Sequence, residues 1–195
     1  MCIRDSIATV DRSKAEGQRN RAILETLYSC GLRVSELVNL KLSDLYFDEG
    51  FIKVEGKGNK QRLIPISPRA INEIKLYFTD RNQIEVKSGH EDFVFISLRR
   101  GKRLSRIMIF HMIKELAQQA GITKNISPHT FRHSFATHLL EGGANLRAIQ
   151  CMLGHESIAT TEIYTHIDRN VLRSEIIEHH PRNIKYRKEK ESLFH

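Results

Sequence analysis

At 195 residues the chain is long enough for folding to bury about 70% of the surface its unfolded form exposes, so one large domain or two small ones are possible. Hydrophobic residues make up 40% and charged residues 28%, with only 11 Gly and 4 Pro, which excludes a disordered or collagen-like chain. Lys and Arg outnumber Asp and Glu by 31 to 23, a formal charge of +8 that favours a polyanionic partner without choosing between nucleic acid and an acidic membrane surface.

No apolar run approaches the roughly 18 residues that span a bilayer, and Met1 to Ser6 lacks the apolar centre of a signal peptide, so a cytoplasmic location and no membrane partner are expected. Cys2, Cys30 and Cys151 are odd in number and have no C-x-x-C spacing, so they read as buried thiols rather than disulfides or zinc ligands.

In chain order, Ala22, Ile23, Leu24, Leu27 and Tyr28 recur at helical spacing between Ala15 and Cys30, with Gly31 placed as a C-terminal cap. Ser35 is the expected cap of a short second helix carrying Leu37 and Leu40. Leu45 to Phe47, Phe51 to Glu55 and Arg62 to Ile66 read as strands; the last two form a hairpin with Gly56-Lys57-Gly58-Asn59-Lys60 as a basic tip. Ser67-Pro68 opens a helix through Ile71, Ile74 and Phe78, and Phe93 to Ile96 is a further strand or buried extended piece. Ile109, Met112, Ile113, Leu116 and Ala120 share one face of a helix starting near Ser105 and closed by Gly121. Ser127-Pro128 starts a helix ended by Gly142-Gly143, and Asn145 caps another ending at Gly154. Thr160-Thr161 and Asp168 are the expected starts of two last helical pieces, the second stopping before Pro181. The fold class is therefore α+β, mainly α-helical with a small antiparallel sheet, in one domain over 1–181, followed by a charged, mobile tail over 182–195.

Basic residues gather twice, at Lys53, Lys57, Lys60 and Arg62 around the hairpin and at Arg99, Arg100, Lys102, Arg103 and Arg106 around Gly101. Exposed loops let such cations meet phosphates without being buried unpaired, so Lys60, Arg62, Arg100, Arg103 and Arg106 are the candidate DNA contacts. The Gly-Lys-Gly tip is not a P-loop, because Asn59 follows Gly58 and a strand comes next instead of a helix. His129 and His133 have zinc-compatible i, i+4 spacing, but Thr130 stands where H-E-x-x-H needs Glu; His129 and Arg132 at a helix N-terminus form a better anion site, while His133 and His138 read as packing or hydrogen-bonding residues. Phe131 to Leu140, a glycine-containing turn and Asn145 to Leu153 have the form of a helix-turn-helix, which leaves open a DNA-binding module without chemistry.

Taken together, Gly31-Leu32-Arg33-Val34-Ser35-Glu36-Leu37, Gly56-Lys57-Gly58-Asn59-Lys60-Gln61-Arg62, His129-x-x-Arg132-His133, Leu153-Gly154-His155 and Tyr164-Thr165-His166 resemble, in that order, the tyrosine recombinase (phage integrase) family. The Xer-type members look most alike, sharing also the Arg-Gly-x-x-Leu-Ser-Arg segment and the His-His-Pro-Arg ending at His179 to Arg182. The likeness runs from about Glu16 to Arg182. It implies that Arg33 and Arg132 are the paired arginines, His129 and His155 the two histidines, Lys57 the hairpin lysine and Tyr164 the nucleophile of a site-specific recombinase working through a 3′-phosphotyrosine link.

Those residue types suit phosphodiester exchange with no metal and no cofactor. A tyrosine hydroxyl titrates near ~10 and attacks poorly, so it needs a base, for which His129 is the candidate, and a positive surround. Two guanidiniums and His155 would bind the non-bridging oxygens as they gain charge, and Lys57 would protonate the leaving 5′ oxygen. The resemblance further implies double-stranded DNA as partner, four protomers on two sites, and a role in chromosome dimer resolution or DNA integration. A type IB topoisomerase-like enzyme shares the residue set and is the alternative within catalysis. Family members usually carry a separate N-terminal helical domain that clamps the other face of DNA. Here that domain and the first catalytic helix are expected to be missing, Met1 to Ser6 look unlike the family, and DNA affinity is expected to be weak.

Overall fold

The structure, a computed structural model, describes residues 7, 10–14, 16–154 and 169–184. Helix α1 (Gly17–Cys30) lies at the centre, and packing has to solve an electrostatic problem there, because Arg19, Arg21, Glu25, Thr26 and Ser29 are buried along with its apolar residues. Each buried polar side chain finds a partner, which is the condition for burying it at tolerable cost. Arg21 pairs with Glu73 at 3.0 Å and donates to the Ile7 carbonyl, and Arg19 donates to the Ile96 carbonyl. Thr26 donates back to Ala22 O, and the Ser67 hydroxyl donates to that of Ser29. Glu25, fully buried, accepts from Arg69 at 3.1 Å and from Arg182.

After α1 come α2 (Val34–Asn39), the strands β1 (Leu45–Tyr46), β2 (Phe51–Glu55) and β3 (Gln61–Pro65), then α3 (Pro68–Arg81), α4 (Arg106–Gln119), α5 (Pro128–Glu141), α6 (Leu146–Leu153) and α7 (Arg169–His179). The sheet is antiparallel in the order β1-β2-β3, with Ile52 opposite Ile64 and Val54 opposite Arg62. Helix α1 packs on α3 and α5, and the main core gathers Ile23, Leu27, Ile52, Ile64, Ile74, Phe95 and Ile113. A second cluster, Phe135, Leu139, Ile149, Met152, Leu172 and Ile176, joins α5, α6 and α7. Among the described residues no helix is long and apolar enough to cross a membrane.

Local chemistry explains most boundaries. The Ser67 hydroxyl accepts from the Ala70 N–H and Pro68 occupies the first turn of α3, while Asn145 Oδ1 accepts from the Arg147 and Ala148 N–H groups at the start of α6. Gly31 ends α1 with φ 60°, and a Cβ there would lie 2.4 Å from the Phe135 ring, so glycine serves both the left-handed backbone and the close approach of α5.

Three expectations are corrected and one left open is decided. The cap of α2 is Arg33, not Ser35: the carboxylate of Glu36 accepts the Arg33 N–H at 2.9 Å and fixes the helix start two residues earlier. Of the two readings left open for Phe93 to Ile96, the strand is absent: Val94, Phe95 and Ile96 are buried, with isolated bridges Lys41 to Phe93 and Ile96 to Arg103. Cys30 is fully buried, which pushes its thiol pKa up, but Cys151 is only partly buried; Cys2 lies outside the described residues. The tail does not begin at Arg182: residues 181–184 form a helical turn with Arg182 and Asn183 buried, because Glu25 needs the Arg182 cation and Ile176 O accepts from the Asn183 amide. Thr160, Thr161, Asp168 and residues 185–195 lie outside the described residues.

His180 seals this end of the chain. Fully buried, it donates from Nε2 to the Tyr28 carbonyl at 3.2 Å and accepts the Arg182 N–H on Nδ1, so both nitrogens are used by the neutral ring. Burial first, with the nearby His138, lowers its pKa to about 3. The unfolded chain takes up a proton near pH ~6.5 that the native ring refuses until about pH 3, so stability falls as pH drops through that window. The urea midpoint should therefore decline from pH 7 to pH 4, and His180→Asn, which does not titrate, should show a shallower decline. Arg182→Met should lower unfolding free energy by about 3 kcal/mol in urea titrations, because the buried Glu25 loses one of the two cations it pairs with.

Candidate active site

Three arginines converge where α1, α2, β3, α5 and α6 meet. Arg33, at the entry to α2, donates from Nη1 to Glu36 Oε1 at 3.0 Å and from Nη2 to the Gly154 carbonyl at 3.4 Å. Arg132, one turn into α5, donates to the Gly31 carbonyl at 2.6 Å and to the Leu153 carbonyl. The two side chains thus reach adjacent peptide carbonyls at the end of α6. Arg62, on β3, forks onto Glu36 at 2.8 and 3.1 Å and donates from Nε to the Met152 carbonyl at 3.0 Å.

Glu36 organises the cluster. Its side chain is 1% exposed, whereas that of Arg33 is 41% exposed, so the anion lies beneath and a cation faces outward. Burial alone would raise the carboxyl pKa; the hydrogen bonds and charge of Arg62, with those of Arg33, overcome it and hold Glu36 below the usual carboxylate range. Arg132 is affected in the opposite sense. Burial and the neighbouring Arg33, with Arg62 beyond it, lower its pKa to about 10 against the pull of Glu36, and it remains a cation near neutral pH. Such a site presents unspent guanidinium donors to an oxyanion over a low-dielectric floor, where they act more strongly than in water.

The other expected site residues are distributed as follows. His129 is exposed on the first turn of α5, three residues before Arg132 and hence on the same helical face. Lys57 opens a 3-10 turn at the tip of the β2–β3 hairpin, where Gly58 and Asn59 have left-handed backbone. The start of that tip adjoins the cluster: a Cβ on Gly56 would lie 3.4 Å from Arg62 Nη1 and 3.7 Å from Glu36 Oε1. His155 and Tyr164 lie outside the described residues. His133, expected to pack or hydrogen-bond, is exposed, whereas His138 meets the Tyr28 hydroxyl at 2.8 Å.

Among the expected DNA contacts, Lys60, Arg100, Arg103 and Arg106 are exposed. Arg103 lies over the Phe93 ring and donates to Asn39, which ties the second basic segment to the end of α2. Arg62 is the exception: its side chain is 17% exposed and turned inward, so it does not stand on an open loop as expected. Strand periodicity carries the signal for this, since Arg62 and Ile64 share a face and Ile64 is fully buried. Glu36 had a signal as well, standing three residues after Arg33, where an N3 carboxylate returns to the helix cap.

Residues 4–170 match the model of the phage integrase family. Tyrosine recombinase XerD of Staphylococcus saprophyticus is 48% identical over 177 residues, covering 90% of this chain and 59% of the relative. The crystal structure of XerA recombinase superposes with a TM-score of 0.70 at 35% identity, covering 92% of this chain and 63% of that one. XerH site-specific recombinase, bound to difH substrate in a pre-cleavage complex, gives a TM-score of 0.68 at 28% identity over 84% of this chain and 48% of that one. The chain belongs to the phage integrase family, and it spans about three fifths of the length of its XerD relative.

Gly154 closes α6 with φ 63°, and a Cβ added to it would come within 3.1 Å of the Arg62 guanidinium. Gly154→Ala should lose about 1–2 kcal/mol from the left-handed backbone alone, seen as a lowered urea midpoint.

Proposed function

We propose that this chain cleaves and rejoins double-stranded DNA as a Xer-type site-specific recombinase through a 3′-phosphotyrosine intermediate. The observation that carries the reading is the convergence of Arg33 and Arg132 on the Leu153–Gly154 carbonyls above a buried carboxylate. Two planar guanidiniums so placed suit a phosphodiester whose non-bridging oxygens gain charge during in-line attack. Membership of the phage integrase family and the DNA-bound XerH neighbour support the same partner.

In this reading the Tyr164 oxygen attacks phosphorus and its proton passes to His129. The bond to the 5′ oxygen breaks, and that oxygen takes a proton from Lys57, whose place on a glycine-flexed hairpin tip suits a mobile acid. His155 joins Arg33 and Arg132 on the non-bridging oxygens. The phosphotyrosine keeps the energy of the broken ester, so attack by a 5′ hydroxyl of another strand reverses the step and no ATP is consumed. Lys60, Arg100, Arg103 and Arg106 hold the backbone around the cut. Four protomers on two DNA sites complete the exchange, with chromosome dimer resolution as the role and integration of mobile DNA as the related one.

A nicked suicide duplex, from which the short fragment bearing the new 5′ hydroxyl diffuses away, tests the chemistry. Wild type should form a covalent protein–DNA adduct in EDTA, and Tyr164→Phe should form none; binding without an adduct would instead identify a module without chemistry. Lys57→Ala should slow cleavage of the ordinary ester by about 10²–10⁴-fold yet leave cleavage of a 5′-bridging phosphorothiolate nearly unchanged. Equal loss on both substrates would reject Lys57 as the acid.

A further inference from the structure

Arg62 was expected to touch DNA, but three of its nitrogens are engaged inside the protein. Nη1 and Nη2 donate to the two oxygens of Glu36, and Nε donates to the Met152 carbonyl. Glu36 is therefore shared between two cations of different exposure, Arg62 at 17% and Arg33 at 41%. Toward Glu36, Arg33 contributes its backbone N–H and Nη1, while its Nη2 is held loosely, 3.4 Å from Gly154 O.

The charge balance gives this sharing a consequence. Arg33, Arg62 and Arg132 set three cations against the single anion Glu36, a net +2 beneath the position of a bound phosphate. Without Arg62 the cluster falls to +1, and both oxygens of a buried carboxylate are left to Arg33 alone. A desolvated carboxylate binds its only remaining guanidinium tightly, which draws Arg33 down from the exposed side.

We infer that Arg62 is a positioning residue for DNA cleavage: by sharing Glu36 from below, it lets Arg33, tied to Glu36 through Nη1, keep its remaining outward donors for the scissile phosphate. The inference rests on the recombinase reading of the site. Arg62 acts only through Glu36 and Arg33, and it is tied to the end of α6 through Met152 O.

The test is single-turnover adduct formation on a nicked duplex built on the sequence that wild type captures covalently from a random pool, made with either a phosphate or a neutral methylphosphonate at the scissile position. Arg62→Gln should slow cleavage of the phosphate by about 10²-fold. On the methylphosphonate, which carries no charge for the lost cation to offset, the slowing should be less than tenfold. Equal slowing on both overturns the inference, since a merely structural defect would not respond to substrate charge. Glu36→Gln/Arg62→Gln returns the cluster to +2 and should cleave the phosphate at least tenfold faster than Arg62→Gln. Should Arg62→Gln fail to fold, Arg62→Lys carries the test: it keeps a cation beneath Glu36 and should cleave the phosphate within tenfold of wild type, and greater slowing on the phosphate overturns the inference. Absence of a wild-type adduct, or an adduct that survives Tyr164→Phe, overturns the recombinase reading and this inference together, and so is distinct from a failure of Arg62 alone.

Discussion

A buried carboxylate bound by two guanidiniums is the constraint on which the rest of the site depends. Glu36 starts α2 by accepting the Arg33 N–H, orients the Arg33 side chain, and receives Arg62 from the neighbouring strand. One anion thereby links a helix, a hairpin and, through the Nε of Arg62, the end of α6. Desolvating a carboxylate costs several kcal/mol, and only such dense pairing keeps it ionised beneath the surface. The same pairing makes the site cationic without loose positive side chains, because every arginine in it is anchored to a carbonyl or to Glu36.

The second arginine works on a larger scale. Arg132 connects the carbonyl that ends α1 to one that ends α6, so the main core and the α5–α7 cluster meet through a guanidinium as well as through apolar contact. Gly31 allows this by bringing the Phe135 ring against the end of α1 at a spacing that no side chain would permit. The arginine cluster therefore lies on the seam between two hydrophobic clusters, held by directional bonds.

Much of this was legible in the sequence. Ser67-Pro68, Ser127-Pro128 and Asn145 announced helix starts because a side-chain oxygen followed by a helix-compatible residue satisfies free N–H groups locally. Gly31 and Gly154 announced helix ends because left-handed backbone is cheap only for glycine. Arg33 and Arg132 stood out by motif and converge in the fold. What stayed hidden depended on partners distant in the chain. Arg182 read as tail because nothing nearby shows that Glu25, 157 residues earlier, needs a second cation. Arg62 read as a surface charge because its role depends on Glu36 lying beneath it. Ser35 reads as the helix cap because local propensity favours a hydroxyl, whereas the Glu36 carboxylate, by accepting the Arg33 N–H, sets the start at Arg33.

The seam between the two clusters has a consequence for tolerance to change. Apolar contacts weaken gradually as surfaces slide, whereas hydrogen bonds to guanidinium lose strength within a fraction of an ångström or a few tens of degrees. A joint made from Arg132 and Arg62 therefore acts like a dowel between two blocks: substitutions deep in either block that shift it slightly will degrade alignment across the joint before they melt either half. Chains of this kind should accumulate neutral variation on their outer faces and very little along the line where the blocks abut.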